Sequence, residues 1–318
     1  MMKKYIGLDI GGTKCAAVLG TLEDEVKIEK KISFQTANKT PEEILEKFSD
    51  FISEVKSSCE ISGIGIACGG PLNSKKGIIM KPPSLPLWDN IHVTEYFEKR
   101  FNIPAYLKND ADACAVAEWR YGAGKGTSSM IFLTFGTGLG AGLILDGRLY
   151  SGPSDTAGEI GHVRLTNGGP VGYNKAGSCE GYCSGGGIAR LAITELEKEI
   201  KKGKTPEFLT RVGGFDGVNA KSLAEAAKEG DAFAKKIYKK SGEAFGRTLS
   251  ILIDLFNPER IVVGGVFMRS GELIMPHAEK ILKREALSHS YNLCRVVSAS
   301  LGEHIGDASA LAVAKGDL

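Results

Sequence analysis

The sequence predicts an α/β protein built from two related halves. Segments with the patterns of strands and helices alternate over the first ~120 residues, which is typical of the α/β class. The segment "YIGLDIGGTKCAAVLG", starting at Tyr5, resembles "IFLTFGTGLGAGLILDG", starting at Ile131. Each half therefore begins with a strand, a glycine turn and a second strand. A length of 318 residues suits two domains of ordinary size.

The two predicted domains are not simply consecutive. We predict an N-terminal α/β domain of residues 1–119, which a returning C-terminal helix at about 303–318 completes. A C-terminal α/β domain of residues 120–302 lies between these two segments. Nucleotide and substrate are then expected in the cleft between the domains.

The first half contains the clearest helix signal. Thr40 is a candidate N-cap, Pro41 suits the first helical position and Glu43 completes a capping box. Strands are expected at 5–10, 14–20, 28–36, 61–68 and 104–110, and helices at 40–58, 94–101 and 112–122. A proline-rich loop at 81–90 is expected to shape a ligand pocket, with Trp88 as a candidate wall.

The second half repeats the opening pattern at 131–147. Helices are expected to dominate from Gly187 to about Phe256. A buried strand then ends in the glycine pair of "RIVVGGVF", and a helix formed by "DASALAVAKG" closes the chain. The second half therefore contains more helix than the first.

Composition and charge exclude several classes of function. Apolar residues make up 42% of the chain, charged residues 25%, and the formal net charge is +2, values typical of a soluble globular protein. The basic residues form no stripe like that of a nucleic-acid binder. No apolar run approaches the ~20 residues of a membrane span. The seven cysteines are an odd number and most have apolar neighbours, which favours reduced thiols in the cytoplasm.

Three glycine turns follow strands of the predicted sheets. A strand that ends in glycine lets backbone N–H groups approach a phosphate without interference from a Cβ atom. One such turn is usually structural, whereas three at matching strand ends favour a nucleotide site. The residues of these turns are Asp9, Gly11, Gly12, Thr13, Gly136, Thr137, Gly138, Gly264 and Gly265.

Polar side chains lie at a strand-to-helix junction and in a later loop. Asp110 can cap the following helix, with Asp112 as its helper. It can also act as a general base that accepts a proton from a hydroxyl attacking a phosphate. In the loop, Glu159, His162 and Glu180 can converge on the hydroxyls of one polar ligand, although a single His is more often structural.

With these residues identified, the chain resembles the ROK family (repressors, open reading frames, kinases) of sugar kinases. The resemblance covers nearly the whole chain. It depends on "DIGGTK", "NDAD", "GAGKG" with the following segment to "GEIGH", "IVVGGVF" and "GDASALA". It implies the actin-like, ribonuclease-H-like two-domain fold, and transfer of phosphate from ATP, with Mg²⁺, to a hexose.

The resemblance also assigns roles to individual residues. Asp110 matches the catalytic base, and Asp9 matches the carboxylate near Mg²⁺. The sugar ligands would be Gly70, Asn109, Asp110, Glu159, His162 and Glu180. The nucleotide would bind Asp9, Gly11, Gly12, Thr13, Lys14, Gly136, Thr137 and Gly138, with Gly264 and Gly265 on the adenosine side.

This chain departs from the zinc motif of the family, a His followed by C-x-C-G-x-x-G-C-x-E. Aligned on Pro170 and Glu180, Val171, Tyr173 and Ser178 replace the three cysteines. Zinc needs about four ligands, so we expect no structural zinc. Apolar packing by Val171 and Tyr173 is expected in its place.

Two nearby cysteines leave a metal site open as an alternative. Cys179 and Cys183 are out of register with the family motif, although they stand close to His162 in a glycine-rich segment. They could join His162 in a new site, but two thiols without a matching set of partners are a weak signal.

The expected activity is a hexose kinase that phosphorylates a primary hydroxyl, with glucose as first choice. Fructose, mannose, allose and N-acetylhexosamines remain open, as does polyphosphate as the donor. The alternatives are a sugar-sensing ROK protein without turnover and an ATPase of the same fold. Family repressors carry an N-terminal DNA-binding extension, and we expect none before the first predicted strand of this sequence. We expect a cytoplasmic homodimer with no nucleic-acid or membrane partner.

Overall fold

The computed structural model describes residues 2–37 and 39–317. Within them the chain is a mixed α/β protein with two five-stranded sheets, which confirms the predicted class. Contacts divide the chain into two compact units. Unit 1 comprises Met1–Phe132, Gly142–Ala157 and Ser300–Leu318, and unit 2 comprises Leu133–Ala141 and Gly158–Ala299. The domain ranges 1–119 with 303–318, and 120–302, stay a prediction.

The elements of the first half alternate as the sequence predicted. They are β1 (Lys4–Ile10), β2 (Lys14–Leu22), β3 (Val26–Gln35), α1 (Pro41–Lys56), β4 (Ile61–Cys68), β5 (Leu72–Asn73), β6 (Ile78–Ile79), β7 (Ile91–His92), α2 (Val93–Phe101), β8 (Ala105–Asn109) and α3 (Asp110–Tyr121). The capping box of α1 is present: Thr40 Oγ1 accepts the Glu43 N–H at 3.3 Å, and Glu43 Oε2 accepts the Thr40 N–H at 2.7 Å.

The later elements contain most of the helices. They are β9 (Met130–Phe135), β10 (Leu139–Leu145), β11 (Arg148–Leu149), β12 (Val171–Gly172), β13 (Lys175–Ala176), α4 (Cys179–Tyr182), α5 (Gly185–Lys201), α6 (Glu207–Arg211), α7 (Ala220–Lys228), α8 (Ala232–Phe256), β14 (Arg260–Val263), α9 (Phe267–Glu285), α10 (Ser288–Leu293), β15 (Arg295–Ser298) and α11 (Ile305–Val313). Single 3₁₀ turns occupy Ile160–His162, Phe215–Gly217 and Gly302–His304.

The two large sheets have the same strand order. The first is ordered β3-β2-β1-β4-β8 and the second β11-β10-β9-β14-β15. In both, the first strand lies at the centre between the second and the fourth. In the first sheet β1 pairs antiparallel with β2 and parallel with β4, and β4 pairs parallel with β8. The internal likeness in the sequence therefore corresponds to a repeated sheet topology.

Other elements cover both faces of the first sheet. Side chains alternate along β1, so neighbouring residues pack on opposite faces. Ile6, Leu8 and Ile10 join the core cluster that contains residues of α1 and α2. Tyr5, on the other face, packs with Leu311 of α11. Trp88 belongs to the first cluster and is only 1% exposed. It is therefore a core residue, and the prediction of Trp88 as a pocket wall was wrong.

Helix α11 approaches the sheet at backbone contact. A Cβ atom at Gly65 of β4 would lie 2.0 Å from Ala310 O and 2.5 Å from Ala314 N. One at Gly7 of β1 would lie 2.7 Å from Leu311 N. Glycine at both positions is what lets α11 lie directly on the two central strands.

We predict that Gly65→Ala destabilises unit 1 by about 3 kcal/mol, the upper part of the usual range for overpacking. The new methyl group meets backbone atoms of α11, which cannot rotate away. Both tryptophans of the chain, Trp88 and Trp119, belong to unit 1. Tryptophan fluorescence during urea unfolding therefore reports on this unit. Gly168→Ala is the control, since a Cβ atom there meets nothing within 4 Å; equal midpoints for the two variants would contradict the prediction.

Candidate functional site

Three of the predicted segments meet at one edge of the first sheet. The parallel register pairs Ile10 of β1 with Cys68 of β4, and Cys68 with Asn109 of β8. The segments that follow these strands, which begin at Gly11, Gly69 and Asp110, therefore start side by side. Ligands of α/β proteins commonly bind at the carboxyl ends of strands, so this edge is a candidate site.

Helix α3 begins at this edge and presents two polar side chains. Asn109 is its N-cap, and the Asn109 Oδ1 atom accepts the Ala111 N–H at 2.9 Å. Asp110 Oδ1 also accepts this N–H, at 2.8 Å. Because Asn109 caps the helix, Asp110 is not required for that task. The second oxygen, Asp110 Oδ2, faces the space beside Gly69, and Asn109 Nδ2 lies 3.4 Å from the Cβ position of Gly70.

The Asp110 carboxyl group has the character of a base. The residue is accessible to solvent, yet the surrounding protein atoms desolvate the carboxyl group and raise its pKa, against hydrogen bonds from backbone N–H groups that lower it. A carboxylate whose pKa moves towards neutral pH is a better proton acceptor. The structure therefore places an accessible candidate base at the start of α3.

The Asp9 carboxylate lies near the end of β1, on the side facing α11. Its Oδ2 atom is 3.1 Å from the Cβ position of Gly306. Burial, and then the charges of Asp110 and Asp307, raise the pKa of Asp9 to about 6, while Lys31 and Lys14 oppose the shift.

This concentration of carboxylates fits a hard cation such as Mg²⁺, which prefers oxygen ligands. Among the described residues there is no group of three or more His, Cys, Asp or Glu side chains that could hold a metal ion. Mg²⁺ commonly binds through one or two carboxylates together with waters and substrate phosphates. The Asp9 environment is compatible with that mode.

The turn after β1 is tightly built. A Cβ atom at Gly12 would lie 2.6 Å from both Cβ and O of Ser84, and one at Gly11 would lie 2.7 Å from Lys14 O. Thr36 Oγ1 donates to Gly11 O at 2.6 Å. Thr13 and Lys14 remain exposed and are available to a ligand. The loop 81–90 thus contacts the turn through Ser84, whereas Trp88 faces the core.

The second and third glycine turns lie against each other in unit 2. Gly265 has φ +70°, and a Cβ atom there would lie 2.2 Å from Phe135 O. The Val266 N–H also donates to Phe135 O, at 2.5 Å, and the Gly185 N–H donates to Gly136 O at 2.8 Å. Gly185 begins α5, so a helix N-terminus abuts the Gly136–Gly138 turn. Such an end favours anions.

A cavity of about 450 Å³ lies next to these turns. Its lining residues are Ala220, Lys221, Ala224, Glu225, Lys228, Val266, Arg269 and Ser270. Val266 directly follows Gly265, and its Cγ2 atom lies 3.3 Å from the Cβ position of Gly185. The α7 and α9 residues of this cavity could not be predicted from the sequence, because small and charged residues at helical spacing are typical of an ordinary amphipathic helix.

Glu180 connects two predicted parts of the site. Its Oε2 atom accepts the Leu139 N–H at 3.2 Å and lies 2.7 Å from the Cβ position of Gly138. Its Cβ atom lies 3.4 Å from the Cβ position of Gly161, in the 3₁₀ turn. Glu159 precedes this turn and His162 ends it, and both are exposed. The structure therefore brings Glu180 to the glycine turn and to the segment of Glu159 and His162.

The two cysteines of this region face the protein core. Cys179 and Cys183 are fully buried. Thr248 of α8 donates to Cys179 Sγ at 3.4 Å, and Cys183 Sγ lies 3.9 Å from Ser241 O, also on α8. Burial raises the pKa of Cys179 to about 11, which disfavours the thiolate that a metal needs. The structure therefore does not support the alternative in which Cys179 and Cys183 join the exposed His162 in a metal site.

A hairpin of β12 and β13 occupies the position of the family's zinc motif. Val171 is 45% exposed and Tyr173 is 61% exposed, so the predicted apolar packing by these two residues was wrong. Ser178 is buried, and its Oγ atom donates to Gly172 O at 3.1 Å and accepts the Gly181 N–H at 3.2 Å. Tyr173 contacts His162 with its ring. Hydrogen bonds from Ser178 thus join the hairpin to α4.

Among the described residues, no helix has the length and apolar character needed to cross a membrane.

Comparisons with known proteins agree with these features. Residues 5–317 match the ROK family. A glucokinase from Thermotoga maritima is 32% identical over 282 residues, which cover 88% of this chain and 87% of that protein. The chain belongs to the ROK family. The crystal structure of a ROK family glucokinase from Streptomyces griseus in complex with glucose and AMPPNP is 29% identical, with a TM-score of 0.78, and covers 98% of this chain and 99% of that one.

ROK membership confirms the predicted actin-like two-domain fold. The glucokinase relatives support a sugar kinase. The family also contains regulators, and a xylose repressor from Caldicellulosiruptor bescii is 28% identical over 295 residues, 91% of this chain and 72% of that protein. Family membership alone therefore does not decide between catalysis and regulation.

In this ROK protein, Asp112 does not help to cap α3 as the sequence suggested. It is buried, and the Ser151 hydroxyl donates to its Oδ2 atom. Burial raises the pKa of Asp112 to about 6, while Ser151 and Lys108 oppose the shift. Asp155, in the same loop, accepts from the N–H and hydroxyl of Ser74 at 2.9 and 2.6 Å. Asp112 therefore anchors the loop after β11 to α3.

We predict that Asp112 makes unit 1 less stable as pH rises. Its folded pKa of about 6 lies above the ordinary 3.8, so its contribution is fully present below pH ~4 and is lost as pH rises through ~6. Asp112→Asn should therefore reduce the loss of unfolding free energy between pH ~4 and ~7.5 by about 1–3 kcal/mol. Urea unfolding followed by tryptophan fluorescence measures this, with exposed Asp50→Asn as the control. An unchanged pH dependence would contradict it.

Proposed function

We propose that this ROK protein is an ATP-dependent hexose kinase that phosphorylates a primary hydroxyl, with glucose as the first candidate. The observation that carries the proposal is Asp110, an accessible carboxylate of raised pKa at the carboxyl edge of the first sheet. It lies at the same sheet edge as the Gly11–Thr13 turn, two strands away from it. A base at the same edge as a phosphate-binding turn suits phosphoryl transfer to a hydroxyl.

In this mechanism Asp110 accepts the proton of the sugar hydroxyl as its oxygen attacks the γ-phosphorus of ATP. A new oxygen–phosphorus bond forms, the bond from the γ-phosphorus to the bridging oxygen breaks, and ADP leaves. Asn109 fixes the position of Asp110 by capping α3 and keeps its own Nδ2 group available for a sugar hydroxyl. Positioning and charge neutralisation contribute most of the rate in such reactions.

The residues proposed to bind the nucleotide are those of the three glycine turns. Gly11, Gly12, Thr13, Lys14, Gly136, Thr137 and Gly138 would bind phosphates. Gly264 and Gly265 would lie on the adenosine side, where the cavity of about 450 Å³ can receive the nucleoside. Mg²⁺, when bound beside Asp9, would neutralise phosphate charge. AMPPNP in the Streptomyces griseus structure supports ATP as donor, and polyphosphate stays a second candidate.

The residues proposed to bind the sugar are polar or lie beside polar side chains. They are Gly70, Asn109, Asp110, Glu159, His162 and Glu180. Carboxylates and an imidazole are suited to the hydroxyls of a sugar. Glucose is favoured because glucokinases are among the relatives, while fructose, mannose, allose and N-acetylhexosamines remain candidates. The homodimer and the cytoplasmic location stay predictions.

A sugar-sensing regulator is the second candidate, because a repressor is among the relatives. Asp110 favours the kinase, since sensing requires no base. A coupled assay of ADP release with a hexose panel separates the two, with ATP and polyphosphate tested as donors. We expect hexose-dependent ADP release that is greatest with glucose. Sugar binding by calorimetry without ADP release would favour the regulator, and ADP release without sugar would indicate an ATPase.

We predict that Asp110→Asn lowers kcat by about 100- to 10,000-fold, the usual contribution of a general base. The amide keeps the size of the side chain but cannot accept the proton. Sugar affinity by calorimetry should stay within about 2-fold, because the amide can still hydrogen-bond the sugar hydroxyl. Asp89→Asn, an exposed site in unit 1, is the control. Turnover near that of the unsubstituted protein would refute the role of Asp110.

We predict that Gly138→Ala raises the sugar KM by about 10-fold, because the new methyl group would lie 2.7 Å from Glu180 Oε2 and disturb its bond to Leu139. Gly136→Ala is the matched control in the same turn, where a Cβ atom meets nothing within 4 Å. Both variants are expected to change the KM for ATP, but only Gly138→Ala the KM for sugar. Equal sugar KM values in both would remove Glu180 from the sugar site.

A further inference from the structure

The hairpin of β12 and β13 has an unusual tip. Val171 pairs with Ala176 and Gly172 with Lys175, so Tyr173 and Asn174 form a two-residue turn. Their φ angles are +47° and +59°, the values of a turn that matches the twist of a hairpin. Asn tolerates this conformation, whereas a bulky side chain with positive φ is an outlier. The tyrosine at this tip therefore needs an explanation other than turn preference.

The Tyr173 ring meets the imidazole of His162. The ring centroids are 5.7 Å apart and the planes cross at 82°, an edge-to-face contact. Tyr173 is 61% exposed, so its ring adds little to a core. The contact instead places an aromatic ring against an exposed imidazole at the end of a 3₁₀ turn.

Three hydrogen bonds fix the hairpin that carries Tyr173. Lys175 Nζ donates to His162 O at 2.8 Å, which ties the second strand to the backbone of the same histidine. Arg190 Nε donates to Val171 O at 2.6 Å, and Ser178 Oγ donates to Gly172 O at 3.1 Å. The hairpin is thus held to His162, α5 and the start of α4. A tyrosine on so well anchored a strand pair can hold a neighbouring ring in place.

We propose that Tyr173 is a positioning residue that orients the His162 imidazole for a substrate hydroxyl. The proposal rests on the proposed function, in which His162 binds the sugar. An imidazole already held in its binding orientation loses less side-chain freedom when the ligand arrives. Edge-to-face aromatic contacts contribute enough free energy to change a binding equilibrium about 2- to 10-fold.

The expected effect is confined to sugar binding. Tyr173→Ala raises the sugar KM about 2- to 10-fold, with kcat and the KM for ATP within about 2-fold. Tyr173→Phe keeps the ring edge and restores the sugar KM. Val171→Ala, on the same hairpin and also exposed, is the matched control and leaves the sugar KM unchanged. A merely structural role would move all three parameters together with the thermal midpoint.

A double-mutant cycle with His162→Ala isolates the contact. If Tyr173 acts through His162, then Tyr173→Ala has no further effect on sugar KM in the His162→Ala background. A full effect of Tyr173→Ala in that background would overturn the proposal, as would an unchanged sugar KM in the single variant.

A spectroscopic readout keeps this test separate from the proposed function. The imidazole proton signals of His162, assigned by comparison with His162→Ala, should shift in Tyr173→Ala and not in Val171→Ala, because the aromatic ring is lost. If His162→Ala leaves the sugar KM unchanged, the sugar role of His162 fails and the orienting role for the sugar fails with it. In that case shifted signals would still establish the ring contact. Unshifted signals would overturn the positioning role whatever the kinetics show.

Discussion

The parallel hydrogen-bond register of β1, β4 and β8 is the constraint on which the first half of the site depends. It places Ile10, Cys68 and Asn109 in one row, so two loops and helix α3, which are far apart in sequence, start at one sheet edge. A shift of one residue in any strand would turn each side chain to the opposite face. The register also brings Asp110 close enough for its charge to raise the pKa of Asp9.

In unit 2, close contact between backbone segments positions the candidate site residues. Gly265 and Gly161 lie where a Cβ atom would fall within 2.2 Å of a carbonyl oxygen, at Phe135 and Leu139 respectively. The glycine turns can therefore stack on β9 and β10, and Glu180 reaches the N–H of Leu139. The glycines thus do more than form turns, since they set how near the polar side chains come to the candidate phosphate sites.

The segment that departs from the family's zinc motif is held by hydrogen bonds. Ser178 makes two of them, to Gly172 O and from the Gly181 N–H, and the tip of the hairpin contacts His162 through Tyr173. Cys179 and Cys183 lie in the core against α8. Hydrogen bonds therefore hold the hairpin to its neighbours in this structure.

Local sequence patterns were enough to predict the α/β class, the internal repeat, helix α1 with its capping box, and the motifs that make the chain a ROK protein. These features depend on local periodicity, on capping residues and on short motifs, all of which neighbouring residues encode. The packing of Trp88 in the core, the capping of α3 by Asn109 and the hydrogen bond between Asp112 and Ser151 became visible only in the folded chain. The tertiary structure alone showed the cavity beside Val266 and the buried thiols. Burial and hydrogen-bond partners arise from segments distant in sequence, so no local pattern could have fixed them.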